Sequence, residues 1–451
     1  MYAVVYSVLI LAYITSQLFT YEPLNYTVGA AAVIAIIISF RKASGLYLYT
    51  GLIFMLLGAL LFITSDLPYY TFLLHFQSML GLLSLFFMLP FINSLIRVGH
   101  FDTQLNQLLN VNTAKMNQLY KKSSFVTHIL GMFLNIATIP LLVSSLKPSL
   151  AAFPDGIRNQ IYAKNLLRAY ALCLSWSPVE VLVSVTIDAT GLKYYHIAPV
   201  TFCMMILFIW LDWMLFSRKP YSAELLAPPD TDRTVNKRRI KKKTIHLGAM
   251  LLSFIATVTI VDTFIGHGYL FSVVLTIIPF SVLFSLSMKK SKQYIMITIP
   301  HWKVRTVSLS NYMFMFLCAG FFVEMALQTK EIAYLQNFLI SSVQHIFVFY
   351  LLISLFFLAT ALAGFHPLVS LALMTSLLEP AMPQLAALPT ALVLLTSSIA
   401  TVMYSPFNVS VSLLAGELKM NPYQITKTNL LFALSYMLAG ILIASLMTLL
   451  M

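Results

Sequence analysis

Ser177-Pro178-Val179-Glu180-Val181-Leu182-Val183-Ser184 returns further along the chain as Ser405-Pro406-Phe407-Asn408-Val409-Ser410-Val411-Ser412, identical at five of eight positions. An aromatic precedes each copy, Trp176 in the first and Tyr404 in the second. Proline removes a backbone donor and clashes with the carbonyl four residues earlier, so Pro178 and Pro406 should each interrupt a helix. Both copies lie inside long apolar runs, where freed backbone groups need protein partners or a wet cavity. Ser175, Ser177, Ser405 and Ser410 put hydroxyls at that level.

The composition says what kind of apolar runs these are. Of 451 residues, 59% are hydrophobic and 10% charged, against roughly 25% charged in a soluble domain. A solvated globular enzyme is excluded. A transmembrane helix needs about 20 mostly apolar residues. Such stretches run at 2–19, 25–40, 45–65, 72–96, 124–146, 166–190 and 197–217, then at 245–266, 268–288, 307–328, 338–386, 389–414 and 425–450. The first has no basic flank and no small-residue cleavage site, so it reads as a retained helix rather than a signal peptide. The formal charge of +13 would alone suit nucleic acid or an anionic surface. Its distribution decides otherwise: nine basic residues crowd into Arg218 to Lys243 and mark a cytoplasmic loop, with no nucleic-acid partner expected.

If every stretch crossed once, that loop would lie opposite Arg41 and Lys42. One stretch must therefore enter and leave by the same face. The best candidate is 124–146, interrupted by Asn135, Thr138 and Pro140 and flanked by Lys121, Lys122, Lys147 and Arg158. By the same logic the overlong 338–386 is a second hairpin with its tip near Gly364-Phe365-His366-Pro367. With the N-terminus cytoplasmic and the C-terminus outside, 26 of 28 basic residues fall inside, leaving Lys193 and Lys330 outside.

The expected fold is an all-α polytopic membrane protein with about 11 transmembrane helices plus two re-entrant hairpins in two inverted-topology repeats. A leading helix at 1–20 precedes a first repeat at 21–217, with a hairpin at 123–147 and a broken helix at 165–190. The basic loop at 218–244 separates it from a second repeat at 245–451, with a hairpin at 338–386 and a broken helix at 389–414. Leu192-Lys193 answers Leu418-Lys419 only with a two-residue gap. Opposite sides for Lys193 and Lys419 make the repeats inverted.

Discontinuous helices near the midplane are where many secondary transporters bind their substrates. A half-helix starting after each break carries about half a unit of positive charge at its N-terminus and favours an anion. The expected substrate-binding residues are Asn135, Thr138, Ser177, Pro178, Ser405, Pro406 and Asn408. Glu180 is the expected ion-coupling residue. A charge at a helix centre costs roughly 2.5 to 3.5 kcal/mol on insertion, which suits a carboxylate kept to carry a cation or a proton. Asp188, Asp262 and Glu324 lie toward span ends, and Asp212, between Trp210 and Trp213, reads as part of an aromatic belt. Lys164 and Arg168 read as inside-flank anchors, and His128 and His366 as packing hydrogen-bonders. Cys173, Cys203 and Cys318 have no metal or disulfide spacing and read as packing residues. Neither H-E-x-x-H nor G-x-S-x-G occurs, so no catalytic or metal site is expected, and no cofactor beyond sodium or a proton as coupling ion. Phe101 to Lys122 is an amphipathic stretch, which a simple surface helix or a connecting arm would both explain.

Asn135-Ile136-Ala137-Thr138 resembles the Ser-Asn-Thr hairpin motif of the ion transporter superfamily, especially its divalent anion/sodium symporters, with Leu134 in place of the leading serine. Ser177-Pro178-Val179-Glu180 and Ser405-Pro406-Phe407-Asn408 resemble that family's Thr-Pro-Pro-Asn-like breaks. Ala363-Gly364-Phe365-His366-Pro367 lacks the hairpin motif. The resemblance implies a transport domain of hairpins and broken helices that moves against a scaffold, and it admits a homodimer. The expected function is secondary active transport of a small anion, a carboxylate first, coupled to sodium or protons, in a bacterial plasma membrane. A cation/proton antiporter using Glu180 and a lipid-linked substrate flippase are the alternatives.

Overall fold

The computed structural model describes residues 2–19, 21–101, 105, 109, 115–224 and 237–450. Much of the 101–122 stretch and of the basic loop therefore lies outside the described residues. The chain opens with α1 (Tyr2–Leu18), α2 (Glu22–Phe40), α3 (Gly45–Thr64) and α4 (Leu80–Val98). It continues with α5 (Met116–Leu134), α6 (Thr138–Leu150), α7 (Asp155–Leu174), α8 (Val181–Thr190) and α9 (Tyr194–Ser217). Then come α10 (Lys237–Ile265), α11 (Tyr269–Ser287), α12 (Ser291–Ser308), α13 (Ser310–Ala326) and α14 (Lys330–Ser341). The last five are α15 (Ile346–Leu362), α16 (Pro367–Leu378), α17 (Ala387–Tyr404), α18 (Val409–Leu418) and α19 (Pro422–Leu450).

This is an all-α membrane architecture. Among the described residues nine helical segments are long and apolar enough to cross a bilayer, or ten if the pair α12 and α13, bent by 50°, is one span. The faces follow from lipid as solvent. On α3 the exposed stripe is Tyr49, Ile53, Leu56, Leu60 and Ile63, while Gly51, Phe54, Gly58 and Phe62 are buried. Those glycines let α13 approach: a Cβ at Gly51 would lie 2.6 Å from the Phe314 ring, and one at Gly58 2.8 Å from Phe321. Small residues at such contacts are the usual route to tight packing between helices in lipid.

Three boundaries differ from the sequence reading. Lys237 to Thr244, read as loop, already belong to α10. The stretch before 307 is the helix α12, concealed in the sequence because only Tyr294, Thr298 and Thr306 are buried while Lys292, Lys303 and Arg305 face out. The overlong 338–386 contains part of α14, a break, and then α15 and α16.

The described residues form two compact units, each drawn from both halves of the chain. Unit 1 comprises 1–95, 257–345 and 371–385. In it the Tyr6 hydroxyl meets Ser39 Oγ at 2.7 Å and Ser310 Oγ at 2.9 Å, and Glu324 lies 3.9 Å from His75. The Glu324 side chain is 39% exposed, in keeping with its reading from the sequence as a solvated residue at a span end. Unit 2 comprises 96–256, 346–370 and 386–451 and holds every sequence-predicted site residue.

Helix boundaries recur at a spacing of 228 residues. Val181 and Thr190 bound α8 as Val409 and Leu418 bound α18, and α9 and α19 begin at Tyr194 and Pro422. The ends of α5 and α15, Leu134 and Leu362, keep the same spacing, as do those of α6 and α16, Leu150 and Leu378. The two-residue gap is unnecessary: Gly191, not Lys193, answers Lys419, and both end their short helices in the left-handed region, with φ of 65° and 52°.

Candidate functional site

Side-chain pairs within unit 2 fix the direction of each helix. Asn165 Nδ2 donates to the Tyr120 carbonyl at 2.7 Å, and Trp176 Nε1 donates to His128 Nε2 at 3.0 Å, so α5 runs alongside α7 in the same direction. Tyr170 donates to Asn135 Oδ1 and Tyr162 to the Val143 carbonyl, so α6 runs the other way. The continuous apolar stretch 116–150 is therefore a helical hairpin folded at Asn135, whose φ of 52° makes the turn. Likewise Ser354 meets Ser397, and Ser405 Oγ donates to the Ala361 carbonyl at 2.9 Å, so α15 accompanies α17. Ser370 then donates back to Thr360, closing a second hairpin around Gly364, where φ is 98°.

The discontinuous helices run in opposite directions. Along α7 and α19, Ala163 pairs with Asn429 and Arg168 with Phe432, a parallel register. Along α17 and α19, Thr396 faces Gly440 and Phe407 faces Tyr423, an antiparallel one. Hence α7–α8 and α17–α18 point opposite ways. Phe208 and Tyr436, themselves 228 positions apart, meet edge to face at 5.0 Å.

At each break the chain caps its own second half-helix. Glu180 is the N-cap of α8, its carboxylate accepting from the Leu182 amide at 3.5 Å. Asn408 is the N-cap of α18, with Oδ1 accepting from the Ser410 amide at 3.0 Å and the Ser410 hydroxyl at 2.8 Å. The positive end of α8 thus faces a carboxylate from the chain itself, which corrects the expectation that both half-helix ends offer themselves to an anion. Ser177 and Pro178 are buried in the first break, and the Pro406 carbonyl accepts from Ser412 Oγ at 3.2 Å in the second. Trp176 is anchored on both sides, by His128 and by the Tyr194 hydroxyl bonded to its carbonyl.

The hairpins meet the breaks unequally. Ser405 is tied to α15, and the Phe407 ring lies about 3.8 Å from where a Cβ on Gly364 would sit. Asn135 bonds Tyr170 at 2.6 Å and is not paired with Ser177 or Glu180 among the described contacts. Thr138, at the head of α6, is fully buried with a hydroxyl that has no hydrogen-bond partner among the described residues. Because α6 packs against α18 and α8 against α17, each half reaches the discontinuous helix of the other.

A buried polar network stands apart from the breaks and was misread in the sequence. Arg168 Nη1 donates to Asp212 Oδ1 at 2.6 Å, Nε to Asn429 Oδ1 at 3.0 Å, and Nη2 to the Thr428 carbonyl at 3.1 Å. Its guanidinium also lies 4.4 Å from the centre of the Phe432 ring. Tyr120 donates to Asp212 Oδ2 at 2.7 Å and stacks on Phe216 at 3.7 Å. Arg168 is therefore no interfacial anchor and Asp212 no belt residue: each is buried and paired, because an isolated charge there would be far costlier. A cavity of about 860 Å³ adjoins this network and contains none of the residues expected to bind substrate. Cys203 is exposed on α9, unlike the buried Cys173 and Cys318, so it is not a packing residue. His128 and His366 both hydrogen-bond within their hairpins' surroundings, the latter accepting from the Leu368 amide at 3.3 Å. Among the described residues no group of three His, Cys, Asp or Glu could hold a metal ion.

No protein-family model matches this chain, and no curated protein does. Among solved structures it is similar to the crystal structure of the YdaH transporter of Alcanivorax borkumensis, described as having an unusual topology. The TM-score is 0.54 at 15% identity, covering 89% of this chain and 97% of that one. The two share a fold: this chain is a polytopic, all-α integral membrane protein.

Proposed function

We propose that this protein is a secondary active transporter of a small anion, a carboxylate first, coupled to sodium or protons through Glu180 by an elevator-like alternating-access movement. The observation that carries this reading is the matched pair of capping residues. Glu180 and Asn408 occupy equivalent positions in oppositely directed broken helices, and only one is ionisable. The cap needs only a side-chain acceptor. The charge at Glu180 exceeds that need, and it is buried. Inverted repeats with paired breaks are the building plan of many secondary transporters, and the transporter named among the similar folds agrees with that class. Thr138 and the second break supply neutral polar groups for substrate, leaving the cation or proton to the first break.

The test is uptake into proteoliposomes under imposed sodium or proton gradients, with Glu180→Asn as the diagnostic variant. It copies the other half's cap, so stability should change by less than about 1 kcal/mol while gradient-driven accumulation is lost and substrate binding remains. Unchanged coupling in Glu180→Asn overturns the assignment. A cation/proton antiporter is the second reading, favoured by the carboxylate that occupies the α8 N-terminus. Proton flux on adding sodium, with no anion dependence, would select it.

A further inference from the structure

We propose that the cavity beside Arg168 is a binding site for the headgroup of an anionic phospholipid, independent of the transport reading. Five cations from two helices and the end of a third converge on it: Lys164 and Arg168 on α7, Arg218 and Lys219 just past α9, and Lys427 on α19. Among the described residues one carboxylate lines it, Asp212, and Arg168 already engages that group at 2.6 Å. Among the described lining residues four cations around one space therefore have no balancing charge, an arrangement that a multiply bonded oxyanion relieves. The three bonds and the aromatic face that hold Arg168 keep the floor of the cavity fixed.

The source of the anion follows from the cavity's place on the fold. Three of its cations, Arg218, Lys219 and Lys427, sit at or near the ends of two membrane-crossing candidates, Tyr194–Ser217 and Pro422–Leu450. On the span side the lining includes Leu215, 46% exposed, and Leu431, 81% exposed. A soluble anion has no use for that apolar rim. A phospholipid places its phosphate among the cations and lays the start of an acyl chain along the leucines. The volume, about 860 Å³, lies within the usual range for small-molecule sites.

The experiment compares the purified wild-type protein with a Lys164→Gln, Lys219→Gln, Lys427→Gln variant. A control, Lys289→Gln, Lys292→Gln, Lys303→Gln, loses the same charge in unit 1. Native mass spectrometry reads retention of phosphatidylglycerol against phosphatidylcholine, and thermal unfolding reads stabilisation by each lipid. Wild type and control should prefer phosphatidylglycerol by about tenfold or more, as expected for several juxtaposed lysines, and the cavity variant should lose that preference. The single Lys427→Gln, on an exposed side chain, should lose part of it and guards against a folding defect in the triple variant. The proposal is overturned if the cavity variant keeps the preference, if the control loses it equally, or if soluble glycerol phosphate binds as tightly as the lipid.

Discussion

Arg168 and Asp212 meet across α7 and α9 through a 2.6 Å hydrogen-bonded ion pair. At the positions 228 residues further on, Thr396 and Gly440 meet across α17 and α19, so closely that a Cβ on Gly440 would lie 2.2 Å from the Thr396 hydroxyl. The same crossing is thus made once with charge and once with the smallest residue available. The fold requires close approach at this point and does not require an ion pair. The contrast at the breaks is of the same kind: Glu180 and Asn408 both cap a ten-residue helix, and the carboxylate adds a charge that capping does not need. In both comparisons the ionisable member lies in the first half of the chain.

The largest effect should come from Arg168→Met, which strands Asp212 in its buried position. Unpairing a buried ion pair costs about 3 to 5 kcal/mol, seen as a marked fall in the unfolding midpoint of the purified protein. The double variant Arg168→Thr plus Asp212→Gly copies the second half and should recover most of that loss. A double variant as unstable as the single would break the equivalence. Next in size, Gly440→Ala forces a methyl group onto Thr396 and should cost about 1 to 3 kcal/mol, whereas Gly248→Ala, with open space around it, should not. The smallest effect belongs to Lys419, held at a φ of 52° where its counterpart is Gly191. Lys419→Gly should stabilise by about 0.5 to 1 kcal/mol, and Gly191→Lys should destabilise by a similar amount. Equal midpoints for Lys419→Gly and wild type would remove the left-handed cap as a shared feature.

The breaks were legible because two signals coincide there, a proline and an aromatic-serine step in an apolar run. Proline alone was insufficient: Pro199 and Pro279 sit inside the continuous helices α9 and α11. Charge on both flanks and the polar residues of 135–140 suggested a hairpin there, and Asn135 lies between α5 and α6 with a φ of 52°. Arg168 was misread because a basic residue near a span end looks alike whether it snorkels to the interface or pairs inward. Its partners Asp212, Thr428 and Asn429 are far along the chain, and no local pattern links them. The helix α12 was missed for a different reason: Ile295, Met296, Ile299, Val304 and Val307 are exposed while Tyr294, Thr298 and Thr306 are buried, so its apolar residues do not mark the inward face, and Lys292, Lys303 and Arg305 interrupt the run.

The network around Arg168 also orders the birth of the protein. Translation delivers α7 with its guanidinium before α9 brings Asp212 and well before α19 brings Asn429. A lone arginine is costly to place in lipid, and α7 is not itself apolar enough to be a candidate span, so α7 should stay outside the bilayer core until α9 arrives to neutralise Arg168. The final carbonyl and amide contacts then wait for α19. A chain stopped between α9 and α19 would hold the ion pair but leave Arg168 incompletely bonded, a state that membrane quality control could recognise.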